Sequence, residues 1–218
     1  HGGEGVDIFG VPAAVFMFAG YAYRIGSAIN RIPDEYVVLS DCDVICNVDF
    51  NDMIEFHKKS GADMTIAVKK MTLTREMAKI NTIFRSDDES RVVDVLTYPT
   101  DFEGEADVSL NMVVMKTAYL RELVQNAISH NLTSLTKDVI AKNMSRGRYF
   151  VYKVNGYFAC ISSLSDYYRY SLELMQDEAA RMRYVRSVRH ADFHGVELVL
   201  VVARQVLEVL VEQLRILE

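Results

Sequence analysis

The chain has 218 residues, half of them hydrophobic and a quarter charged, with a formal net charge of −6. That length builds one large domain, or a domain with an appendage, and the acidic balance leaves no basic excess to neutralise the phosphates of a nucleic acid. Three cysteines, Cys42, Cys46 and Cys160, are too few and too scattered for a disulfide framework and point to a reducing cytoplasm; no segment offers the roughly 18 uninterrupted apolar residues of a membrane helix.

Residues 1–32 carry no pattern that assigns them. His1-Gly2-Gly3-Glu4-Gly5 has the glycines of a phosphate-cradling loop, but no strand precedes it and Val6-Asp7 stand where a cation is wanted, so it reads as a flexible terminus. Val11 to Tyr23 is apolar yet too short to span a bilayer, and it lacks the charge pattern of a cleavable signal. After the breakers Pro33-Asp34-Glu35, the β-branched run Tyr36 to Leu39 does not alternate, which predicts a strand buried on both faces. Asp49 is expected to cap a helix over Phe50 to Ser60, with Gly61 as its stop. Met53, Ile54 and His57 recur on it at helical spacing, so His57 reads as a packed or hydrogen-bonded residue rather than a ligand. Met64 to Val68 is the next apolar run, and this strand–helix–strand order predicts a crossover with the Tyr36 and Met64 strands as parallel neighbours.

Lys69 to Lys79 reads as a polar connection. Asn81 to Arg85 and Arg91 to Leu96 flank the turn 86–90 and predict a hairpin. Asp107 to Met115 is strand-like. Thr117 to Ser129 carries Leu120, Leu123, Val124 and Ala127 on one side of a helix, and Ser134 to Met144 groups Leu135, Val139, Ile140 and Met144 in the same way. Tyr149 to Val154 alternates as a strand does, and a helix is expected over Ser165 to Leu174. Beyond it, Arg181, Arg183, Arg186 and Arg189 make a basic stretch, and Val196 to Leu217 reads as one long amphipathic helix. Its β-branched start, Val196 to Val202, suits a strand equally well.

The chemistry-bearing pattern is Asp41-Cys42-Asp43, at the carboxyl end of the first strand. In open α/β sheets ligands bind at that edge. Two acids so close are a standard means of holding a hard divalent cation against phosphate oxygens, although acids also populate solvated turns and helix caps.

The order Tyr36-Val37-Val38-Leu39-Ser40, then Asp43, Ile45 and Asp49-Phe50, then a helix with His57, then Gly61-Ala62-Asp63-Met64-Thr65-Ile66-Ala67-Val68 resembles the sugar-nucleotide pyrophosphorylases. The similarity is to the ADP-glucose pyrophosphorylase family of bacterial glycogen synthesis, and within it to the regulatory D-type subunit. It runs from about Pro33 to about Gln176. The resemblance implies a three-layer, nucleotidyltransferase-like (Rossmann-like) α/β domain over residues 33–176, with a mainly parallel mixed sheet. Residues 177–218 would then be a helical appendage, since the hexapeptide repeats of the family's β-helix domain are not visible in them. It further implies a cytoplasmic protein that takes ATP or ADP-glucose and glucose-1-phosphate, with Mg²⁺, and that assembles with a catalytic pyrophosphorylase subunit or with copies of itself.

Residue by residue, the family match makes Asp43 the catalytic metal ligand, with Asp41 a second candidate. Ser109-Leu110-Asn111 resembles the family's Ser-Met-Gly turn, so Ser109 and Asn111 are expected to meet sugar hydroxyls. Two positions depart from the pattern. In the family's Val-Glu-Lys-Pro segment the lysine contacts the sugar phosphate; here Leu96-Thr97-Tyr98-Pro99 puts Tyr98 in its place, and a neutral phenol is no counter-charge to phosphate. In the family's Tyr-Trp-x-Asp-Val-Gly-Thr-Leu segment the aspartate is the second metal ligand; Gly156 to Leu164 puts Cys160 there, a soft donor that suits magnesium poorly. These departures imply a catalytically weak regulatory subunit. Two other readings stay open: an active sugar-phosphate nucleotidyltransferase with Mg²⁺ on Asp43, and an Asp-x-Asp glycosyltransferase that uses Mn²⁺ and a nucleotide-sugar through both Asp41 and Asp43.

Overall fold

The computed structural model describes residues 35–41, 43–130, 132, 134–161, 163–176 and 196–199. The readings made for residues 1–32 and for most of 177–218 lie outside them. Strand β1 is Tyr36–Ser40 and the short β2 is Val44–Cys46. Helix α1, Phe50–Ser60, has the ends its sequence predicts. Asp49 accepts the N–H groups of Asn51 and Asp52 at 3.0 and 3.1 Å, a cap worth about 1 kcal/mol. At the other end Gly61 takes a φ of 61° and returns its N–H to the carbonyls of His57 and Lys58.

Strand β3, Met64–Leu73, runs through the stretch read as a polar connection, because its alternating second half keeps Leu73 buried while Lys70 and Thr72 face solvent. A short helix α2, Arg75–Ala78, follows, with Thr74 as its cap. The hairpin forms as expected from β4, Thr82–Ser86, and β5, Val92–Thr97. Next come β6, Gly104–Lys116, and α3, Thr117–His130. Leu135–Ile140 winds as a π-helical turn and continues into the single turn α4, Ala141–Asn143, rather than making one regular helix. The chain then forms β7, Tyr149–Lys153; β8, Phe158–Cys160; and α5, Leu164–Gln176. The last described strand is β9, Val196–Val199. Here the strand alternative holds, and the expected long helix does not begin at Val196. Among the described residues no helix is long and apolar enough to cross a membrane.

The sheet is built around β6. Along one side β3 runs antiparallel to it, from Met64 opposite Met115 to Leu73 opposite Gly104. The other side is shared end to end: β4 pairs antiparallel at Val108 and Asp107, and β1 pairs antiparallel from Met112 to Lys116. β7 joins β3 in parallel and β9 joins β1 in parallel. The sheet is therefore mixed and mostly antiparallel, which corrects the expectation of a mainly parallel one. The Tyr36 and Met64 strands are not neighbours either, since Val37 and Met64 both lie opposite Met115. The crossover through α1 does make β1 and β3 parallel to each other. What separates them is the run Met112 to Met115, whose residues are between 0 and 6% exposed. Such a run needs strands on both edges and cover on both faces.

Alternate residues divide between two cores. Val37, Ile66, Val113, Met115 and Val151 pack with Leu120 and Leu123 of α3 and with Val139 and Ile140 of the π-helical turn. Val38, Ala67, Met112, Val114 and Val154 pack with Met53 and Ile54 of α1. Helices thus pack against residues from opposite faces of the sheet. His57 is 1% exposed; its Nδ1 lies 2.8 Å from the Thr65 hydroxyl, and its ring meets Tyr36 edge-on at 5.6 Å. It is a packed, hydrogen-bonded residue.

Candidate functional site

The β3–β6 ladder breaks between two pairs. Ile66 faces Val113, but Val68 already faces Ser109, so Leu110 to Met112 bulge opposite Ala67. Bulges re-aim side chains next to functional sites. Asn111 takes a φ of 53° at the top of this bulge, in the left-handed region that asparagine tolerates better than most residues. Ser109 clamps it: its hydroxyl accepts the Asn111 N–H at 3.1 Å and donates to Asn111 Oδ1 at 3.3 Å. On the side of β6 shared by β1 and β4, the bulge fills the interval between the end of one strand and the start of the other. Asp41, just past β1, donates its N–H to the Asn111 carbonyl at 3.3 Å. Asp41, Ser109 and Asn111 therefore lie together at the break in the ladder, in the interval between β1 and β4.

Burial, and then the charge of Asp43, push the Asp41 carboxyl up to about 6, although a hydrogen bond from the Asn111 side chain works the other way. The unfolded chain ionises Asp41 at its ordinary value, so the penalty for holding it charged is present above about pH 6 and disappears as pH falls to about 4. Allowing for solvent screening at a partly buried group, Asp41→Asn is expected to stabilise the fold by about 1–2 kcal/mol at pH 8. The gain should be absent at pH 4. Urea denaturation at the two pH values reads this directly, and destabilisation at pH 8 would show that a favourable contact holds the charge.

Asp43 is placed by a second, two-stranded ribbon. β2 and β8 pair antiparallel with Val44 opposite Cys160, and the Ile161 N–H donates to the Asp43 carbonyl at 2.7 Å. The ribbon is tied at its far end, where the Asn47 N–H donates to the Tyr157 carbonyl at 2.9 Å. Gly156 lies so close that a Cβ on it would stand 2.4 Å from the Asn47 carbonyl oxygen. This pairing brings the Cys160 thiol to Asp43, donating to Oδ2 at 3.8 Å. Burial, and next the Asp43 charge, push that thiol up to about 11, so it is protonated at neutral pH. Asp43 Oδ1 is buried with no hydrogen-bond partner among the described residues.

The donor set decides how a metal would fit. Among the described residues no group of three His, Cys, Asp or Glu side chains converges as a cation site. A magnesium ion brought in on a nucleotide needs only one or two protein carboxylates beside the phosphate oxygens. The orphaned Asp43 Oδ1 fits that role, and the protonated thiol of Cys160 adds no hard donor.

Tyr98 lies two strands away from Ser109 at the same end of the sheet. Leu96, Ile83 and Val108 sit side by side across β5, β4 and β6, so the residues just beyond Leu96 and Val108 run level. Tyr98 is half exposed, has a φ of 54°, and donates its N–H to the Asn81 carbonyl at 3.1 Å. Lys137, from the π-helical turn, places its ammonium 5.1 Å from the Tyr98 ring centre. No spacing in the sequence signals that approach, because Lys137 falls among the polar residues of an amphipathic segment.

Comparison with known proteins now bears on this arrangement. The chain is similar to curated glucose-1-phosphate adenylyltransferases. It is 26% identical over 158 residues to that of Thermosipho africanus, covering 72% of this chain and 38% of the relative. It is 28% identical over 148 residues to that of Thermosipho melanesiensis, covering 67% and 35%. With that of Halalkalibacterium halodurans it shares 26% identity over 159 residues, covering 71% and 40%. The chain spans about two fifths of the length of these relatives. No protein-family model matches it.

Proposed function

We propose that this chain is the nucleotide-sugar-binding core of a glycogen-biosynthesis protein related to glucose-1-phosphate adenylyltransferase, a catalytically weak subunit of the regulatory, D-type kind. Residues 33–176 form its nucleotidyltransferase-like domain. Asp43 faces the phosphates of ATP or ADP-glucose through Mg²⁺; Ser109 and Asn111 meet the sugar of glucose-1-phosphate. It acts in assembly with a catalytic partner or with copies of itself. The observation that carries the reading is the contact of Cys160 with Asp43. Chain pairing brings together the two positions that the resemblance makes metal ligands, and one of them is a protonated thiol. Catalysis falls while a single carboxylate for a nucleotide-borne cation remains.

The test is a thermal shift. ADP-glucose or ATP with Mg²⁺ is expected to raise the melting temperature by preferential binding to the native state. Omitting Mg²⁺ should abolish the shift, since a carboxylate beside phosphate is favourable only with a cation between them. Asp43→Asn should abolish it as well and leave the unliganded stability nearly unchanged, because Oδ1 has no partner to lose. Asp41→Asn should matter less. If Mn²⁺ is preferred, UDP-sugars outdo ADP-sugars and both aspartates count equally, the glycosyltransferase reading takes over. If millimolar nucleotide gives no shift, the chain is a structural partner with a vestigial cleft.

A further inference from the structure

The loop between β7 and β8 sets a reactive dipeptide between two fixed points. Asn155-Gly156 is the only Asn-Gly pair in the sequence, and it stands in that loop. On one side, Val154 is 5% exposed and donates its N–H to the Val68 carbonyl at 2.8 Å. On the other, the Tyr157 carbonyl accepts the Asn47 N–H at 2.9 Å. The Gly156 carbonyl accepts a hydrogen bond from the Lys69 ammonium. Asn155 itself is exposed, and among the described residues nothing bonds its side-chain amide or accepts the Gly156 N–H.

These are the conditions for attack of the Gly156 nitrogen on the neighbouring amide. Glycine has no Cβ to hold its nitrogen off the Asn155 side chain, and its backbone reaches angles closed to other residues. Exposure lets the leaving group out and water in. Nucleophile and amide belong to adjacent residues, so the step is intramolecular and gains from proximity. The Gly156 nitrogen bonds to the side-chain carbonyl carbon of Asn155, and a succinimide ring closes. The amide C–N bond breaks, and its nitrogen leaves as ammonia with the proton that the Gly156 nitrogen gives up. Water then opens the ring at either carbonyl. One opening yields aspartate. The other yields isoaspartate, whose main chain runs through the former side chain and is longer by one methylene.

The added methylene lengthens the path between Val154 and Tyr157 by about 1.5 Å. Gly156 has little room for it, since even a Cβ there would stand 2.4 Å from the Asn47 carbonyl oxygen. Of the two fixed points Tyr157 is the weaker. Val154 sits in the core with Met53 and Ile54, just past a paired strand, whereas Tyr157 is tied to Asn47 by a single backbone hydrogen bond. That bond closes the β2–β8 ribbon, in which Val44 faces Cys160. We propose that Asn155-Gly156 is a self-modifying site, at which loss of ammonia and formation of isoaspartate release Asn47 from Tyr157 and loosen the ribbon that carries Cys160 to Asp43. The inference does not rest on the functional reading above; Asp43 enters it only as the neighbour of Cys160.

The test is to age the full chain under native conditions at pH 8 and map it with trypsin. Cleavage after Lys153 and Arg169 releases one peptide that holds both residue 155 and Cys160. An isoaspartyl methyltransferase and mass spectrometry are expected to find isoaspartate at residue 155. Asn155→Gln should gain none, because its longer side chain would have to close a larger ring. In the modified fraction, alkylation of Cys160 by iodoacetamide should quicken at least about tenfold, as each unit by which a thiol's pKa falls is a tenfold gain in thiolate. Burial now pushes that thiol up to about 11. Fresh Asn155→Asp, which carries the new charge on an unlengthened chain, should alkylate as the fresh parent does. A native chain that gains no isoaspartate at residue 155 overturns the inference, whether or not a sample aged in urea gains it. Isoaspartate with Cys160 alkylation within twofold of the fresh parent overturns it too, since the ribbon then does not respond. Equal quickening in fresh Asn155→Asp would assign the effect to charge in place of chain length, and counts against it in the same way.

Discussion

With ATP, glucose-1-phosphate and Mg²⁺, the purified chain is expected to release pyrophosphate at no more than about 10⁻² s⁻¹, against the ~10 s⁻¹ of a typical enzyme. Phosphoryl-transfer catalysis is almost entirely positioning and electrostatic stabilisation of the developing charge. Cys160 stands where the resemblance places a second metal carboxylate, and its thiol is protonated at neutral pH. Tyr98 stands where it places a lysine. One preorganised electrostatic contact is worth ~10²–10³ in rate, so the loss of a metal ligand alone reaches the expected deficit. Cys160→Asp is expected to recover part of the rate, because β2 and β8 already hold that position against Asp43. Coupled pyrophosphate release at saturating substrates is the measurement. Turnover within tenfold of ~10 s⁻¹ would overturn the weak-subunit reading and promote an active nucleotidyltransferase.

Acid is expected to destabilise the fold through His57. Burial, and secondarily the charge of Lys116, hold its imidazole down at about 4, while Asp63 pulls in the opposite direction. Its Nε2 is buried without a partner among the described residues, so a proton placed there gains no acceptor from them. The unfolded chain takes that proton near 6.5 and the native protein only near 4. The contribution is therefore complete above about pH 6.5 and is lost as pH falls toward 4, where it amounts to about 3 kcal/mol. Asp41 acts in the opposite sense over part of this range, so the clean comparison is with a non-titrating variant. Between pH 7.5 and pH 4 the parent should lose about 3 kcal/mol more than His57→Gln in urea unfolding. Equal losses would mean that the His57 proton finds a partner after all.

Local features were legible in the sequence because they are settled by short-range chemistry. Asp49 and Gly61 mark the ends of α1 through side-chain capping and a left-handed backbone, each decided within a few residues. The hairpin of β4 and β5 and the packed state of His57 follow from turn residues and helical spacing in the same way. The polar clamp at Ser109 and Asn111 was not read from the sequence, because the bulge that puts Asn111 in the left-handed region is a matter of strand register. The sheet's direction was less legible. A strand–helix–strand unit determines that β1 and β3 run parallel but carries no information on whether another strand lies between them. The apolar run Met112 to Met115 signals burial without naming its neighbours.

What the sequence by itself determined is most of the longer strands and helices, the two ends of α1 and the acid pair at the end of the first strand. The tertiary structure alone decided three things. It inserted β6 between β1 and β3, because only that central place buries both faces and pairs both edges of its apolar run. It laid β2 against β8, so that Cys160 meets Asp43 across the ribbon. It also turned Lys137 over Tyr98, through a π-helical turn whose winding depends on Val139 and Ile140 being held in the core. Each of these joins residues far apart in the chain, where the free energy of pairing comes from burial shared by whole elements and not from any local preference.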